Sequence, residues 1–230
     1  IISGFKGTGK TLLFNVLNNT DEKSKSLRKQ LIRKAEITDK NSDNFVFLKV
    51  TDLNKDYDLF FNITDEQIRT NINFTRFWLV FIWAKLVSSE GINSELSSNY
   101  ADLTNQQISS TTKALKFAEL SKDLQEFSKI EADLIRIDQQ LKKEGKTLFI
   151  LFDQLDNLVK AEFWSSVISP LVMYWWNNTF ENIYPKIFVR TDLFATIKGT
   201  NTLRIKNEMV NIEWTREEVY AYFFKLVFSS

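Results

Sequence analysis

The chain has 230 residues, 43% of them hydrophobic, with 20 Phe, 6 Trp, 2 Pro and 6 Gly; this suits one large packed domain and excludes a disordered or linker-rich chain. Its 30 basic and 29 acidic residues leave a formal charge of +1, so no global bias points to nucleic acid or an anionic membrane, although a local patch is compatible with neutrality. Neither Cys nor His occurs, which removes disulfides, Cys/His zinc sites, cysteine nucleophiles and imidazole-dependent triads, and leaves carboxylates, Lys, Arg, hydroxyls, backbone dipoles and a hard metal ion for any chemistry.

Ile1-Ile2 reads as the end of a buried strand, and Leu12-Leu13-Phe14-Asn15-Val16-Leu17 as a core-facing helix. Between them Gly4-Phe5-Lys6-Gly7-Thr8-Gly9-Lys10-Thr11 fits G-x-x-x-x-G-K-[ST], the pattern of a phosphate-binding loop. Several oxyanions crowded together can be met only by backbone N–H groups bent around them, and Gly4, Gly7 and Gly9 supply the tight points. In this reading Lys10 reaches the β- and γ-phosphates and Thr11 places its hydroxyl on Mg²⁺. Phe5, Lys6, Thr8 and Leu12 complete the loop and the first helical turn, whose positive end faces the phosphates.

Asp21 to Lys40 is dense in charge and reads either as a solvated helix face or connection or as a basic contact surface. Phe45-Val46-Phe47-Leu48-Lys49-Val50 reads as a short buried strand. From Thr64 to Val87 the pattern is helical, its second half apolar on all sides; the aromatic residues there fit core packing or the lining of a cofactor pocket. The longest apolar stretch, Phe77 to Ala84, is interrupted by Lys85 and falls short of the ~20 residues of a membrane span. Ser88 to Gln107 is rich in Ser and Asn and reads as a loop. Leu115 to Lys143 carries one apolar stripe at spacings of three and four, a long helix that lies across the sheet or forms an arm or partner-binding element. Residues 64–144 are expected to be a helical insertion before the third strand.

Thr147-Leu148-Phe149-Ile150-Leu151-Phe152 is an apolar strand ending in Asp153-Gln154-Leu155-Asp156. A carboxylate at the tip of a buried parallel strand is costly unless it faces a cleft, and in open α/β sheets the cleft lies at the carboxyl ends of the strands. Asp153 is therefore expected to hold Mg²⁺ opposite Thr11. Asp156 is expected either to polarise an attacking water or to cap the next helix. An apolar helix, Phe163 to Phe180 with Pro170 inside, precedes the strand Lys186-Ile187-Phe188-Val189, which delivers Arg190-Thr191-Asp192 to the same edge. Arg190 there would meet a γ-phosphate or pair with a nearby carboxylate. Met209 to Ile212 reads as a fifth strand, and Thr215 with Glu218 as a capping box for a final helix whose apolar face holds Val219, Tyr222, Phe223 and Leu226. The fold class expected is α/β: a mostly parallel five-stranded sheet with helices on both faces. The chain starts without Met inside a core strand and stops in an apolar helix, so a piece of something longer is expected.

The order of KGTGKT, an apolar strand with DQLD, a strand with RTD and the Ile-Glu-Trp-Thr-Arg-Glu-Glu helix start resembles the bacterial P-loop NTPases of the STAND and AAA+ superclass, above all the KAP-like and related ATPases of prokaryotic conflict systems. The resemblance implies an ATP-binding and ATP-hydrolysing switch of assembly or signalling, often in antiphage defence, in a cytoplasmic protein that partners copies of itself or an effector. It implies Gly4, Gly7, Gly9, Lys10 and Thr11 on phosphate, Asp153 on magnesium, Asp156 as the second acidic position and Arg190 as sensor. AAA+ ATPases place Glu directly after the metal-binding Asp, whereas Gln154 stands here, with the next acid three residues on. A guanine-binding chain would offer D-x-x-G and a later N-K-x-D; Asp156 stands in place of that Gly and Asn54-Lys55-Asp56-Tyr57 lacks the final Asp, so ATP is preferred. A scaffold that binds ATP without useful hydrolysis and presents residues 115–143 to a partner is the alternative.

Overall fold

Five short apolar runs form one sheet. In the computed structural model, which describes residues 1–19, 21–34, 44–89, 92, 94, 96–104, 107–177, 180–199, 201–213, 215, 217 and 218, they are β1 (Ile2–Gly4), β2 (Phe45–Lys49), β3 (Thr147–Phe152), β4 (Ile183–Arg190) and β5 (Val210–Asn211). Their order is β2-β3-β4-β1-β5 and every neighbouring pair is parallel, so the sheet is all-parallel rather than mostly so. β4 starts at Ile183, earlier than its apolar core at 186–189 indicates. Pro185 hides that extension in the sequence, yet it sits in the half of β4 that pairs with β3 alone, since β1 joins only from Phe188 onward. A residue without an N–H is tolerated on such an edge.

Parallel neighbours require crossovers, and helices supply them. After β1 come α1 (Lys10–Asn18) and α2 (Glu22–Lys34), the second formed by the charge-dense stretch. Arg28 Nη1 donates to the Val16 and Leu17 carbonyls at 2.8 and 3.1 Å, so one cation of that stretch closes the last turn of α1. Residues 35–40 of the same stretch lie outside the described residues.

Between β2 and β3 run α3 (Leu53–Ile63), α4 (Glu66–Arg69), α5 (Phe74–Val87), α6 (Ala101–Thr104), α7 (Ser110–Lys122) and α8 (Leu124–Lys143). Two stretches expected as continuous helices are divided by side-chain caps. Asn73 accepts from Arg76 N at 3.2 Å and starts α5 afresh. Asp123 accepts from the amides of Gln125 and Glu126 at 2.9 and 3.1 Å and starts α8. Each such cap contributes about 1 kcal/mol, enough to fix a boundary that apolar periodicity alone does not show. At the other end of α8, Gly145 at φ 64° lets Lys146 N reach Leu141 O at 2.9 Å and Gly145 N reach Lys142 O at 3.1 Å.

α5 is the centre of the core: Phe77, Trp78, Leu79, Val80, Phe81, Ile82 and Trp83 are each at most 1% exposed. Their rings pack on Phe60 of α3 and Phe117 of α7, with Phe60–Trp78 centroids 5.4 Å and Phe77–Phe117 centroids 5.5 Å apart. The indole N–H of Trp78 donates to Val167 O at 2.6 Å and that of Trp83 to Asp133 Oδ2 at 2.8 Å, so both polar tips are satisfied and the aromatic residues are core. The apolar stripe of α8 from Phe127 to Leu141 is buried too, against α5, α7 and β3, and projects as no arm.

After β3 come α9 (Leu155–Leu158), a 3₁₀ turn at Ala161–Phe163 and α10 (Trp164–Asn177), which runs on through Pro170. α11 (Thr191–Phe194) and α12 (Thr202–Asn207) follow β4. Thr215 and Glu218 form the reciprocal capping bonds at 2.8 and 3.2 Å. The helix face from Val219 onward lies outside the described residues. The second sheet face carries a smaller cluster of Phe14, Leu151 and Phe188 beneath α1, so helices flank both faces. Among the described residues no helix is long and apolar enough to cross a membrane.

Candidate functional site

The crossover from β1 to β2 passes over β4 and β3, while that from β4 to β5 passes over β1 in the opposite direction. Connections that part in this way open a crevice at the carboxyl ends of the two strands, here β1 and β4. The register places Gly4 against Arg190, so the Gly4–Leu12 segment and the Arg190-Thr191-Asp192 turn border the same crevice.

The loop has the backbone its glycines were expected to provide. Gly7 and Gly9 stand at φ 89° and 93°, where a Cβ is strained. Gly4 is excluded from larger residues by contact: a Cβ there would lie 2.7 Å from Ile212 O and would collide with Thr8 Oγ1. Thr8 Oγ1 donates to Phe5 O at 2.9 Å and braces the bend. α1 begins directly after Gly9 and no side chain caps it, so the amides of its first turn point outward without an intrahelical acceptor. Phe5, Lys6 and Leu12 are exposed on the rim. Lys10 Nζ donates to Gly4 O at 2.7 Å and Phe5 O at 2.8 Å, which folds its ammonium into the concave side of the loop. Burial, opposed by the nearby carboxylates of Asp153 and Asp156, lowers its pKa.

Asp153 belongs to the same neighbourhood although β4 lies between its strand and β1, a span of two strand spacings or ~10 Å. α1 covers that gap. Asp153 is 7% exposed and its carboxyl is pushed above the usual range by burial; the Gln154 amide and the Thr11 hydroxyl turned toward it work the other way, as does Lys10, while Asp156 adds to the rise. Its Oδ2 has no hydrogen-bond partner. Only four buried side-chain polar atoms among the described residues share that condition, and a second, Thr191 Oγ1, belongs to the turn after β4; the others, Arg69 Nε and Trp175 Nε1, are in the helical layer. Orphaned polar atoms cost about 1–3 kcal/mol each, so two gathered at one crevice call for a reason other than packing.

A divalent cation fits this donor set. No cluster of three His, Cys, Asp or Glu occurs among the described residues, which argues against an all-protein cage. Mg²⁺ commonly takes only one or two protein oxygens and completes its shell with phosphates and water, and Thr11 with Asp153 offers that arrangement.

Asp156 and Arg190 occupy the other rim. Arg190 grips Asp192 through Nε–Oδ1 at 3.1 Å and Nη2–Oδ2 at 2.7 Å, and its Nη1 lies 3.7 Å from Asp156 Oδ2. Asp156 does not cap α9, whose N-cap is Gln154 without a side-chain bond. The pairing of Arg190 with carboxylates is thus present, and it leaves the guanidinium at the crevice. Three contributors were not singled out as such in the sequence. Asp192 orients Arg190. Gln154 is the only non-glycine residue at positive φ among the described residues, at 56°, and this turn brings its amide to the Asp153 carboxyl. Thr51, after β2, accepts from Asp153 N at 3.1 Å and donates to Asp153 O at 3.0 Å, locking the strand tip. Position at the carboxyl end of a neighbouring apolar strand was the signal for Thr51. Comparison of the chain with protein families, with curated proteins and with solved structures returned no match.

Proposed function

We propose that the chain binds ATP with Mg²⁺ through Gly4–Leu12, Thr11 and Asp153, and hydrolyses it slowly as a switch. The observation that carries this is the meeting, at one topological crevice, of an uncapped helix N-terminus, a lysine folded into its loop, and a buried carboxylate oxygen without a partner beside the Thr11 hydroxyl. Amides at the start of α1 would hold the phosphate oxygens, and Lys10 would exchange two carbonyl acceptors for charged ones, which form stronger bonds. Magnesium, when bound, would neutralise phosphate charge and polarise the terminal phosphoryl group. Arg190 would turn from Asp192 to that group; water screens their exposed ion pair, so Asp192 is a weaker partner than a phosphoryl group carrying more charge. Asp156, released from Arg190, would orient the attacking water and accept its hydrogen bond.

The resemblance to STAND and AAA+ ATPases supplies the setting: control of assembly or effector activation in bacterial defence or signalling, through copies of this chain or an effector protein. Two observations favour the second reading, nucleotide binding without useful turnover: Gln154, not an acid, follows Asp153, and Asp156 is engaged by Arg190. Steady-state phosphate release from wild type and Asp156→Asn separates the two. Hydrolysis predicts a fall of ten-fold or more in the variant; equal background rates leave binding alone, and absence of any Mg-ATP-dependent thermal shift in wild type sinks both.

A further inference from the structure

Away from the crevice, a cavity of about 490 Å³ opens between α3, α5 and α7. That is within the range of small-molecule sites. Phe81, Phe117, Leu59 and Ala84 give it an apolar wall, and Ser88 and Ser110 contribute hydroxyls. Lys55 and Asp58, both exposed on α3, offset one another at the mouth. Farther in, two ammonium groups, Lys85 and Lys113, face a single carboxylate, Asp56.

That carboxylate is already committed. Asp56 is 4% exposed; its Oδ1 accepts from Lys85 Nζ at 2.6 Å and its Oδ2 from Asp52 N at 2.7 Å. The Lys113 ammonium has no ion-pair or hydrogen-bond partner among the described residues, and burial together with the neighbouring Lys85 lowers its pKa, with Asp56 opposing. The inner cavity therefore holds one positive charge more than it neutralises, beside a wall of aromatic and aliphatic carbon. We propose that this cavity is a binding site for a small organic anion, its carboxylate or phosphate held by Lys113 and Lys85 and its apolar body laid on the apolar side of the cavity, where Ile108 is partly exposed.

The inference does not depend on the nucleotide reading, and its test uses sodium phenyl phosphate and sodium benzoate as probes, with benzyl alcohol as the neutral analogue. Calorimetry without nucleotide is expected to give saturable binding of at least one anion to wild type and to Lys10→Ala. Affinity should fall ten-fold or more in Lys113→Gln and recover in Lys113→Arg, while benzyl alcohol gives no saturable signal at the same concentration. Response to one anion only names the head group. Since Lys113 has no partner to lose, Lys113→Gln should melt with wild type. The proposal is overturned if neither anion binds, if Lys113→Gln binds as wild type does, or if binding disappears in Lys10→Ala and persists in Lys113→Gln, which would put the probe in the phosphate loop.

Discussion

Replacing Asp153 with Asn should make the metal-free protein more stable, although it removes a residue assigned to ligand binding. Oδ2 of Asp153 is a buried acceptor with no partner, on a carboxyl that burial holds above its usual pKa. Asn keeps the shape, retains an acceptor for the Gln154 amide, and offers in place of the orphan oxygen an N–H₂ that can donate to the Thr11 hydroxyl. Relief of an unsatisfied buried group is worth about 1–3 kcal/mol, and in a domain of this length each kcal/mol moves Tm by about 2–4 °C. A gain of roughly 2–12 °C is therefore expected in EDTA at pH 7. The pH dependence has a definite sign. The folded carboxyl keeps its proton to higher pH than the unfolded one, so the folded state binds more protons between the unfolded value of 3.8 and its own raised pKa. Stability from this group falls as pH rises through that window, and Asp153→Asn should flatten the fall. With Mg-ATP the ranking should invert: wild type gains about 2.7 kcal/mol at a hundred-fold excess over Kd, while the variant loses the magnesium-dependent part. Thermal melts by circular dichroism, with and without magnesium and nucleotide, check all of this. A metal-free variant that melts below wild type refutes the desolvated carboxylate; an undiminished magnesium shift refutes its role as ligand.

Lys10→Ala should leave Tm within about 2 °C of wild type, because only two backbone carbonyls lose a donor at a solvent-facing loop, and should weaken triphosphate binding about ten- to hundred-fold by calorimetry, the worth of one charge-assisted contact. Gln154→Gly should raise stability by about 1 kcal/mol in a denaturant melt, since the left-handed backbone it relieves disfavours any Cβ, while Gln154→Ala should bring no such gain. Thr51→Val deprives a buried N–H and C=O of Asp153 of their partner and should cost about 1–3 kcal/mol in the same melt; a change under 0.5 kcal/mol would mean that the strand tip is held otherwise.

The strands and the chemical edge were legible because each depends on local chemistry. The glycine spacing of Gly4, Gly7 and Gly9, a carboxylate after the apolar Thr147–Phe152 run, and an arginine after Phe188-Val189 all lie where the sheet brings them together. Boundaries set by single side chains were harder. The strand at Ile183–Arg190 was shortened by the presence of Pro185, and α3 was missed because Leu53 to Ile63 mixes Asn, Lys and Asp with its apolar residues. Its buried face, Leu59, Phe60 and Ile63, exists only against α5 and α7. The break at Asp123 was hidden by the stripe of Leu120, Leu124 and Phe127, which continues across it; Leu124 proves 60% exposed, so the periodicity crosses a boundary that packing does not respect.

What was not legible at all is how the helical layer fixes the crevice. Trp78 of α5 packs edge-on against Phe152 with centroids 6.0 Å apart, directly before Asp153. On the other side Thr51 clasps the Asp153 backbone, Asp52 N donates to Asp56, and Asp56 is held by Lys85 of the same α5. Both routes end on a helix separated from Asp153 by more than sixty residues of sequence, so no local pattern reveals them. They answer a physical need: a buried carboxylate with an unpaired oxygen and a left-handed neighbour is unfavourable wherever it stands, and it persists only where surrounding contacts allow the strand tip no other course. The aromatic core around Phe60, Phe77, Trp78, Phe81 and Phe117 supplies that constraint. A helical segment between β2 and β3 that buries so much ring surface therefore does two things at once: it covers one face of the sheet, and it holds Asp153 at the strand tip with one carboxylate oxygen unpartnered.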